Sequence, residues 1–416
     1  IASPVPHRPD DDIIDAAGGA VIAGLHDHHV HVLALAAALD SVRCGPPEVS
    51  TMDALVGALR SARRVDWLRG VGYHESVAGP LDRDTLDQWR ADLPVRIQHR
   101  TGALWMLNSA ALTELDLESR RDPRIERDEK GRATGRLWRA DDLVRAASAT
   151  PPLSRVASLF TEQGVTSITD ATPTNDPGSR ALLALLPQKV RVMGPLGLVT
   201  EGEVKVMLDD DALPPLAEAM DLVRAAHAMG RGVAVHCVTL VQLWFAIEVF
   251  RSAGVAADRI EHASLAPTEA IGALRELGLR VVTQPAFVAE RGDDYLRDVD
   301  EVDQSSLYPL RSLLRAGIPV RGSSDAPFGG SDCWAAMRAA VERRTLTGQV
   351  LLPSERLEPT VALELFSSGN GGVSIGTPAD LAVLAVPLAV ATRELDARNV
   401  VATIVGGGIV NDGRTE

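Results

Sequence analysis

The chain has 416 residues, 45% of them hydrophobic and 24% charged, ordinary proportions for a globular protein, and a net charge of −14. That acidic balance argues against a nucleic-acid surface, which needs clustered Lys and Arg, and no run of about 18 apolar residues is present to span a membrane. Cys44, Cys237 and Cys333 make an odd count without close spacing, so they read as buried thiols in a reducing compartment and a cytoplasmic location is expected.

Residues 1–15 are polar and proline-containing, and Gly18-Gly19 turns the chain into the apolar run Ala20-Val21-Ile22-Ala23. This run is short enough for a buried strand, and it leads directly into Gly24-Leu25-His26-Asp27-His28-His29-Val30-His31, which holds four of the chain's ten histidines. A strand over 20–23 places the cluster at a strand's C-terminal end. Residues two apart on a strand share a face, so His29 and His31 can hold one metal ion, and so can His26 and His28. A helix is expected over 32–39. Helix 52–63 and strand-like segments 67–73 and 93–99 follow, with a charged turn around Asp128-Glu129-Lys130-Gly131-Arg132. More than a hundred residues with their own signals are too many for a loop, and the segment 41–150 is read as an insertion folding over the end of the first strand.

From Leu153 onward β-branched segments alternate with helical ones. Strands are expected at 164–170, 189–193, 204–208, 232–236, 259–262, 279–284 and 318–325, with helices at 212–229, 240–253 and 268–277. With the histidine strand they make eight, which favours a TIM-like (β/α)8 barrel over residues 20–365. After a helix at 359–366 and the turn Gly369-Asn370-Gly371-Gly372, short strands at 379–384 and 400–405 suggest a small flanking β-sandwich domain. That domain comprises 366–416 together with 1–19, its other strands expected upstream of Ile1.

In such a barrel the C-terminal strand ends form the active face. His29 and His31, His236, His262 and Asp325 arrive there from strands one, five, six and eight, a donor set that suits Zn²⁺ or a similar divalent ion. Lys205, one of three lysines in the chain, lies within the apolar strand Val204-Lys205-Val206-Met207-Leu208, where a bare ammonium would be costly. An amine there escapes that cost by losing its charge or by carrying an acidic modification. Trp105, Trp138, Phe287 and Tyr295 are expected as pocket walls, on the insertion and on the loop after strand seven. Arg100 and Arg291 are candidate carboxylate binders, with solvated arginines as the favoured reading. His74, His99 and His227 are given no role.

Gly24-Leu25-His26-Asp27-His28-His29-Val30-His31 resembles the Gly-x-x-Asp-x-His-x-His signature of the amidohydrolase superfamily, and this resemblance selects His29 and His31 as the pair. The chain is similar, more narrowly, to amidohydrolase family 3, the branch with the N-substituted formamide deformylases. Asn108-Ser109-Ala110-Ala111-Leu112, Val204-Lys205-Val206, Ala234-Val235-His236, Arg259-Ile260-Glu261-His262, Gly322-Ser323-Ser324-Asp325-Ala326-Pro327 and Ala379-Asp380-Leu381 carry the likeness. It implies His29, His31 and Asp325 on one metal, His236 and His262 on a second, and Lys205 carboxylated at N6 bridging them; a single metal beside an unmodified Lys205 is the alternative. It implies hydrolysis of an amide or related C–N bond of the N-acyl or N-formyl amine type, with Asp325 as proton carrier and a small-molecule substrate. A lyase or isomerase on the same barrel, an esterase or cyclic amidase, and a non-catalytic scaffold are the rivals, and a homodimer is left open. The chain departs from the branch at Asp210, at Thr239-Leu240 and at His99-Arg100-Thr101-Gly102-Ala103.

Overall fold

The computed structural model describes residues 15–62, 66–145, 152–198, 201–368, 372–374 and 376–412. Residues 1–14 of the expected small domain and the turn 369–371 lie outside them. The chain divides into two compact units, Ile1–Val32 with Leu153–Glu416, and Leu33–Pro152.

The first unit is α/β. Its parallel strands are β1 (Leu25–Val30), β2 (Val165–Asp170), β3 (Lys189–Val192), β4 (Val204–Val206), β5 (Val233–Cys237), β6 (Arg259–His262), β7 (Arg280–Thr283) and β8 (Val320–Gly322). They pair in the orders β1-β2-β3 and β4-β5-β6-β7-β8. Gly194 bridges to Val204 in parallel fashion, and the Lys205 N–H donates to the Gly194 carbonyl at 3.1 Å. Beyond β8, the Asp325 N–H donates to the His29 carbonyl at 2.8 Å and the His31 N–H to the Ala326 carbonyl at 2.9 Å.

Helices cover these strands for reasons visible in their sequences. Helix Leu240–Ala253 is opened by Thr239, whose hydroxyl accepts from the Gln242 N–H, and is closed by Gly254 at φ 91°, a conformation glycine adopts without a Cβ clash. Its buried residues Leu243, Ala246, Ile247 and Phe250 recur at helical spacing. Among the described residues no helix is long and apolar enough to cross a membrane.

The expected first strand needs correcting. Val21–Ala23 is a separate strand that pairs antiparallel with Leu381–Leu384, in a four-stranded sheet completed by Val400–Val405 and Gly408–Asp412. The parallel strand is Leu25–Val30 itself, so the histidines lie mostly within it and not past its end. An apolar run looks like a buried strand wherever it pairs, whereas β1 carries polar side chains on a buried strand and so hides its own signal. The segment after β7 is also not a loop but the helix Ala286–Asp298, seated by buried Phe287, Val288 and Gly292. A Cβ on Gly292 would stand 2.5 Å from Thr345 Cγ2, so only glycine lets the helix approach that closely.

The second unit holds a six-stranded sheet in the order Val42–Arg43, Leu68–Tyr73, Val95–His99, Leu104–Leu107, Ala133–Trp138, Ile125–Arg127. The first three strands run parallel and the rest antiparallel. Its core includes Leu55, Leu59, Leu68, Tyr73, Val95 and Ile97, all buried. Leu55 and Leu59 come from helix Met52–Ser61, where their i, i+4 spacing faces them inward.

Candidate metal centre

Strand alternation sorts the histidine cluster into two pairs. His26 and His28 stack with ring centroids 3.8 Å apart, and His26 Nε2 lies 2.9 Å from Thr169 Oγ1. His29 and His31, with centroids 5.3 Å apart, turn toward Asp325 instead. Their Nε2 atoms lie 3.5 and 3.2 Å from Asp325 Oδ1, and one donor atom from each of the three residues falls within 4.8 Å of the others, close enough to hold one ion. The choice left open by spacing is thereby made by Asp325.

His262 joins this group. Its ring centroid is 5.0 Å from that of His29 and 4.4 Å from that of His236, and its Nδ1 is 3.9 Å from Asp325 Oδ2. Both His262, at φ 68°, and Asp325, at φ 57°, have left-handed backbone. For a residue with a Cβ this costs on the order of 1–3 kcal/mol unless the surroundings enforce it, and such strain gathers at functional sites. Two of the assembled side chains thus share an unfavourable backbone state.

The ring nitrogens facing away from the cluster are all occupied in three of these histidines. Glu261 Oε2 meets His29 Nδ1, Thr172 Oγ1 lies 3.1 Å from His31 Nδ1, and Gln284 Oε1 lies 2.8 Å from His262 Nδ1. The acceptors Glu261 and Gln284 fix the tautomer that leaves Nε2 of His29 and His262 as a lone pair, and Thr172 holds the His31 ring in place, the arrangement usual around metal-binding imidazoles. Burial, with Lys205 and neighbouring rings adding to it, holds His29 far below the ordinary imidazole value, and burial does the same for His262. Both rings are therefore neutral near neutrality and their contacts with Asp325 are not ion pairs. Burial likewise lowers the Lys205 amine, partly offset by Glu261 and Asp325.

Three buried polar atoms of the cluster, Lys205 Nζ, His262 Nε2 and Asp325 Oδ1, have no hydrogen-bond partner. Buried polar groups are almost always satisfied, and orphans of this kind call for a ligand or ion. A neutral imidazole lone pair, a carboxylate oxygen and a desolvated amine around one space are the donors a divalent transition metal takes. The residues present therefore fit a metal.

Sequence reasoning quoted Asp27, Arg259 and Glu261 within motifs but gave them no role, and gave none to Gln284 or Thr172. Arg259 pairs with Glu261 and also donates to the His28 carbonyl at 3.0 Å, so it fixes the carboxylate that fixes His29. Asp27 binds the Ser324 hydroxyl and accepts from the Ser324 N–H at 3.0 Å, tying β1 to the segment that carries Asp325. Its Asp-x-His-x-His position was the available signal.

The expected pocket residues are divided between the two units. Phe287 and Arg291 share helix Ala286–Asp298, the guanidinium 4.1 Å from the ring centroid and donating to the Phe328 carbonyl; the Phe328 ring in turn packs edge-on to His31 at 5.2 Å. Tyr295 is partly buried against the same cluster as Phe287, its hydroxyl 3.2 Å from that of Tyr308. Trp105 is buried in the core of the second unit with its indole N–H donating to Asp141, and Trp138 is exposed there.

The chain matches the Amidohydrolase family over residues 12–411. It is 25% identical to an N-substituted formamide deformylase of Arthrobacter pascens, with 96% of this chain and 90% of that one covered. It is also 23% identical to the Bacillus subtilis (strain 168) amidohydrolase YtcJ, covering 97% and 91%. Among solved structures, a metal-dependent hydrolase from Pyrococcus horikoshii OT3 aligns with a TM-score of 0.68 at 21% identity, over 86% of this chain and 82% of that one. The chain belongs to the amidohydrolase family, metal-dependent enzymes that hydrolyse C–N bonds.

Proposed function

We propose that the chain hydrolyses an amide of the N-acyl or N-formyl amine type, with His29, His31, His236, His262, Asp325 and Lys205 as the metal-binding set. The observation that carries this is the convergence of orphaned, desolvated donors around Asp325. The relative from Arthrobacter pascens supports the substrate class.

The eight parallel strands are read as a closed barrel, supported by the Gly194–Val204 bridge on one side and the Asp325–His29 and His31–Ala326 hydrogen bonds on the other. On that reading the set comes from the C-terminal ends of β1, β5, β6 and β8, where barrel chemistry is placed, and from Lys205 in β4. The sheet Val21–Ala23, Leu381–Leu384, Val400–Val405, Gly408–Asp412 is read as part of the small β-sandwich. The free buried cysteines suit a cytoplasmic enzyme.

A divalent ion such as Zn²⁺ supplies, when bound, a lowered water pKa and polarisation of the scissile carbonyl. The protein's own groups do the rest. Asp325 Oδ1 faces the two Nε2 atoms, which leaves Oδ2 to take a proton from the attacking water and hand it to the leaving nitrogen. Glu261, Thr172 and Gln284 keep three imidazoles oriented throughout. Carboxylation of Lys205 converts an amine with no hydrogen-bond partner into a bidentate anion and accounts for a lysine at a buried strand position. Phe287, Arg291 and Phe328 are the proposed substrate wall, Phe328 because its ring lies against His31.

Incubation with N-formyl and N-acyl amines in ¹⁸O water tests this reading. Amine release with ¹⁸O in the acid product, abolished by chelation and restored by Zn²⁺, is expected. Full turnover in a chelated, metal-free sample, or product without solvent oxygen, would overturn it.

A further inference from the structure

The second unit contains a cluster of donors that the amidohydrolase reading does not use. Strands Leu68–Tyr73 and Val95–His99 are parallel neighbours with Tyr73 in register opposite His99. His74 continues the first strand with extended backbone, φ −142° and ψ 146°, and Glu75 begins the short helix Glu75–Ala78. Two adjacent strand ends therefore deliver His74, Glu75 and His99 to one place. The His74 and His99 ring centroids are 5.9 Å apart, His99 Nε2 lies 2.9 Å from Glu75 Oε2, and one donor atom from each of the three residues falls within 4.8 Å of the others.

Both imidazoles are braced on the same side by the same device. His74 Nδ1 lies 2.8 Å from the hydroxyl of Ser76, and His99 Nδ1 lies 2.8 Å from the hydroxyl of Thr101. Each Nδ1 is also reached by a backbone N–H two residues downstream, Ser76 at 3.3 Å and Thr101 at 3.2 Å. Those N–H groups donate to Nδ1, so in the structure each Nδ1 accepts and Nε2 carries the proton of the neutral ring; taking an ion on Nε2 requires that proton to be displaced to Nδ1, where the Ser76 or Thr101 hydroxyl receives it in place of the backbone bond. An ion pair between Glu75 and His99 accounts for two of these residues only. His74 caps the short helix Glu75–Ala78, its Nδ1 accepting from the Ser76 N–H, and this cap sets its ring beside the pair. Glu75, 40% exposed at its side chain, leaves the cluster open to entry from solvent.

We propose that His74, Glu75 and His99 form a second divalent-metal site, taking Zn²⁺ or an ion of similar preference, built wholly from residues of the second unit. Two imidazole nitrogens and one carboxylate oxygen are a Zn²⁺ donor set with one position left for water.

Zinc content measured by mass spectrometry on the purified full chain, stripped with chelator, reloaded with ZnCl₂ and desalted, tests the site. The wild type should hold one equivalent more than a His74→Ala/His99→Ala variant. In a His29→Ala/His31→Ala/Asp325→Ala/His236→Ala/His262→Ala background, which removes the histidines and the carboxylate proposed around Asp325, one equivalent should persist and be lost when His99→Ala is added. This arm keeps the outcome separate from that of the centre around Asp325. Glu75→Gln preserves shape and polarity, and it should weaken the persisting equivalent by about tenfold or more in competition with a chromophoric chelator. Equal zinc in wild type and a folded His74→Ala/His99→Ala variant would overturn the proposal. So would an unchanged Zn²⁺ affinity in Glu75→Gln, the variant that decides the matter if the double substitution does not fold.

Discussion

Glu261 is fully buried and carries two partners, Arg259 on one oxygen and His29 Nδ1 on the other. A carboxylate on the far nitrogen of a metal-binding imidazole raises its basicity and fixes its rotation, and removing such a partner costs about 10–100-fold in metal affinity. Glu261→Gln should therefore shift the Zn²⁺ competition curve by that factor while leaving a measurable kcat at saturating metal. An unchanged curve would mean that Glu261 only neutralises Arg259. Asp325→Asn keeps the side chain's volume and removes its ability to carry a proton. Loss of about 10²–10⁴-fold in kcat is expected on the best N-formyl or N-acyl amine, and activity within twofold of wild type would remove Asp325 from the proton path. Asp325 and the histidine pairs were legible from residue type and spacing because metal chemistry restricts both. Glu261, Thr172 and Gln284 were not, since a carboxylate, a hydroxyl and an amide serve many purposes and only the folded geometry brings them to a ring nitrogen.

At the scale of elements, Gly24 joins the strand Val21–Ala23 of the antiparallel sheet to β1. A Cβ there would stand 2.2 Å from both Cγ2 and Oγ1 of Thr166, itself fully buried in β2. The glycine is needed for close strand approach and not for an unusual φ. Gly24→Ala forces β1 and β2 apart, an overpacking that costs about 1–3 kcal/mol or more, to be read as a fall in the urea midpoint. Gly57 is the contrast, a mid-helix glycine with nothing within 4 Å of its Cβ position. Gly57→Ala should hold or raise stability by up to about 1 kcal/mol; equal losses at both sites would refute the packing account. Helices Val32–Leu39, Leu240–Ala253, Thr268–Leu277 and Pro359–Phe366 have the bounds expected from sequence, because caps, glycines and prolines mark helix ends chemically. Strand β1 did not, because Leu25–Val30 carries His26, His28 and His29 on a buried strand and escapes any pattern built on apolar residues. Helix Ala286–Asp298 was missed for a related reason: Glu290, Arg291, Asp293 and Asp294 crowd its middle, and its seat depends on Gly292 meeting Thr345.

For the first unit as a whole, folding must bring His29 and Asp325 together from distant parts of the sequence and remove both from water. Donors held neutral by burial, with three polar atoms lacking hydrogen bonds, make this region costly to form without a ligand. An ion that binds the folded state alone returns that cost by mass action, about 2.7 kcal/mol at a hundredfold excess over Kd. The stabilisation should be local as well as global, because the Asp325 N–H donates to the His29 carbonyl and the His31 N–H to the Ala326 carbonyl, and these bonds join the two segments that an ion would clamp. Amide hydrogen exchange of the full chain reads it directly. Chelation should speed exchange at residues 25–31, 259–263 and 324–326 by up to about a hundredfold, the equivalent of 2.7 kcal/mol at 1.4 kcal/mol per factor of ten, while amides of Val400–Val405, a strand of the antiparallel sheet that carries no proposed ligand, respond less. Zn²⁺ should restore the protection in wild type and fail to do so in His29→Ala/His31→Ala. Protection at those segments that is indifferent to chelation would mean that the cluster is a settled polar core, with its orphaned atoms satisfied by water and no metal in its design.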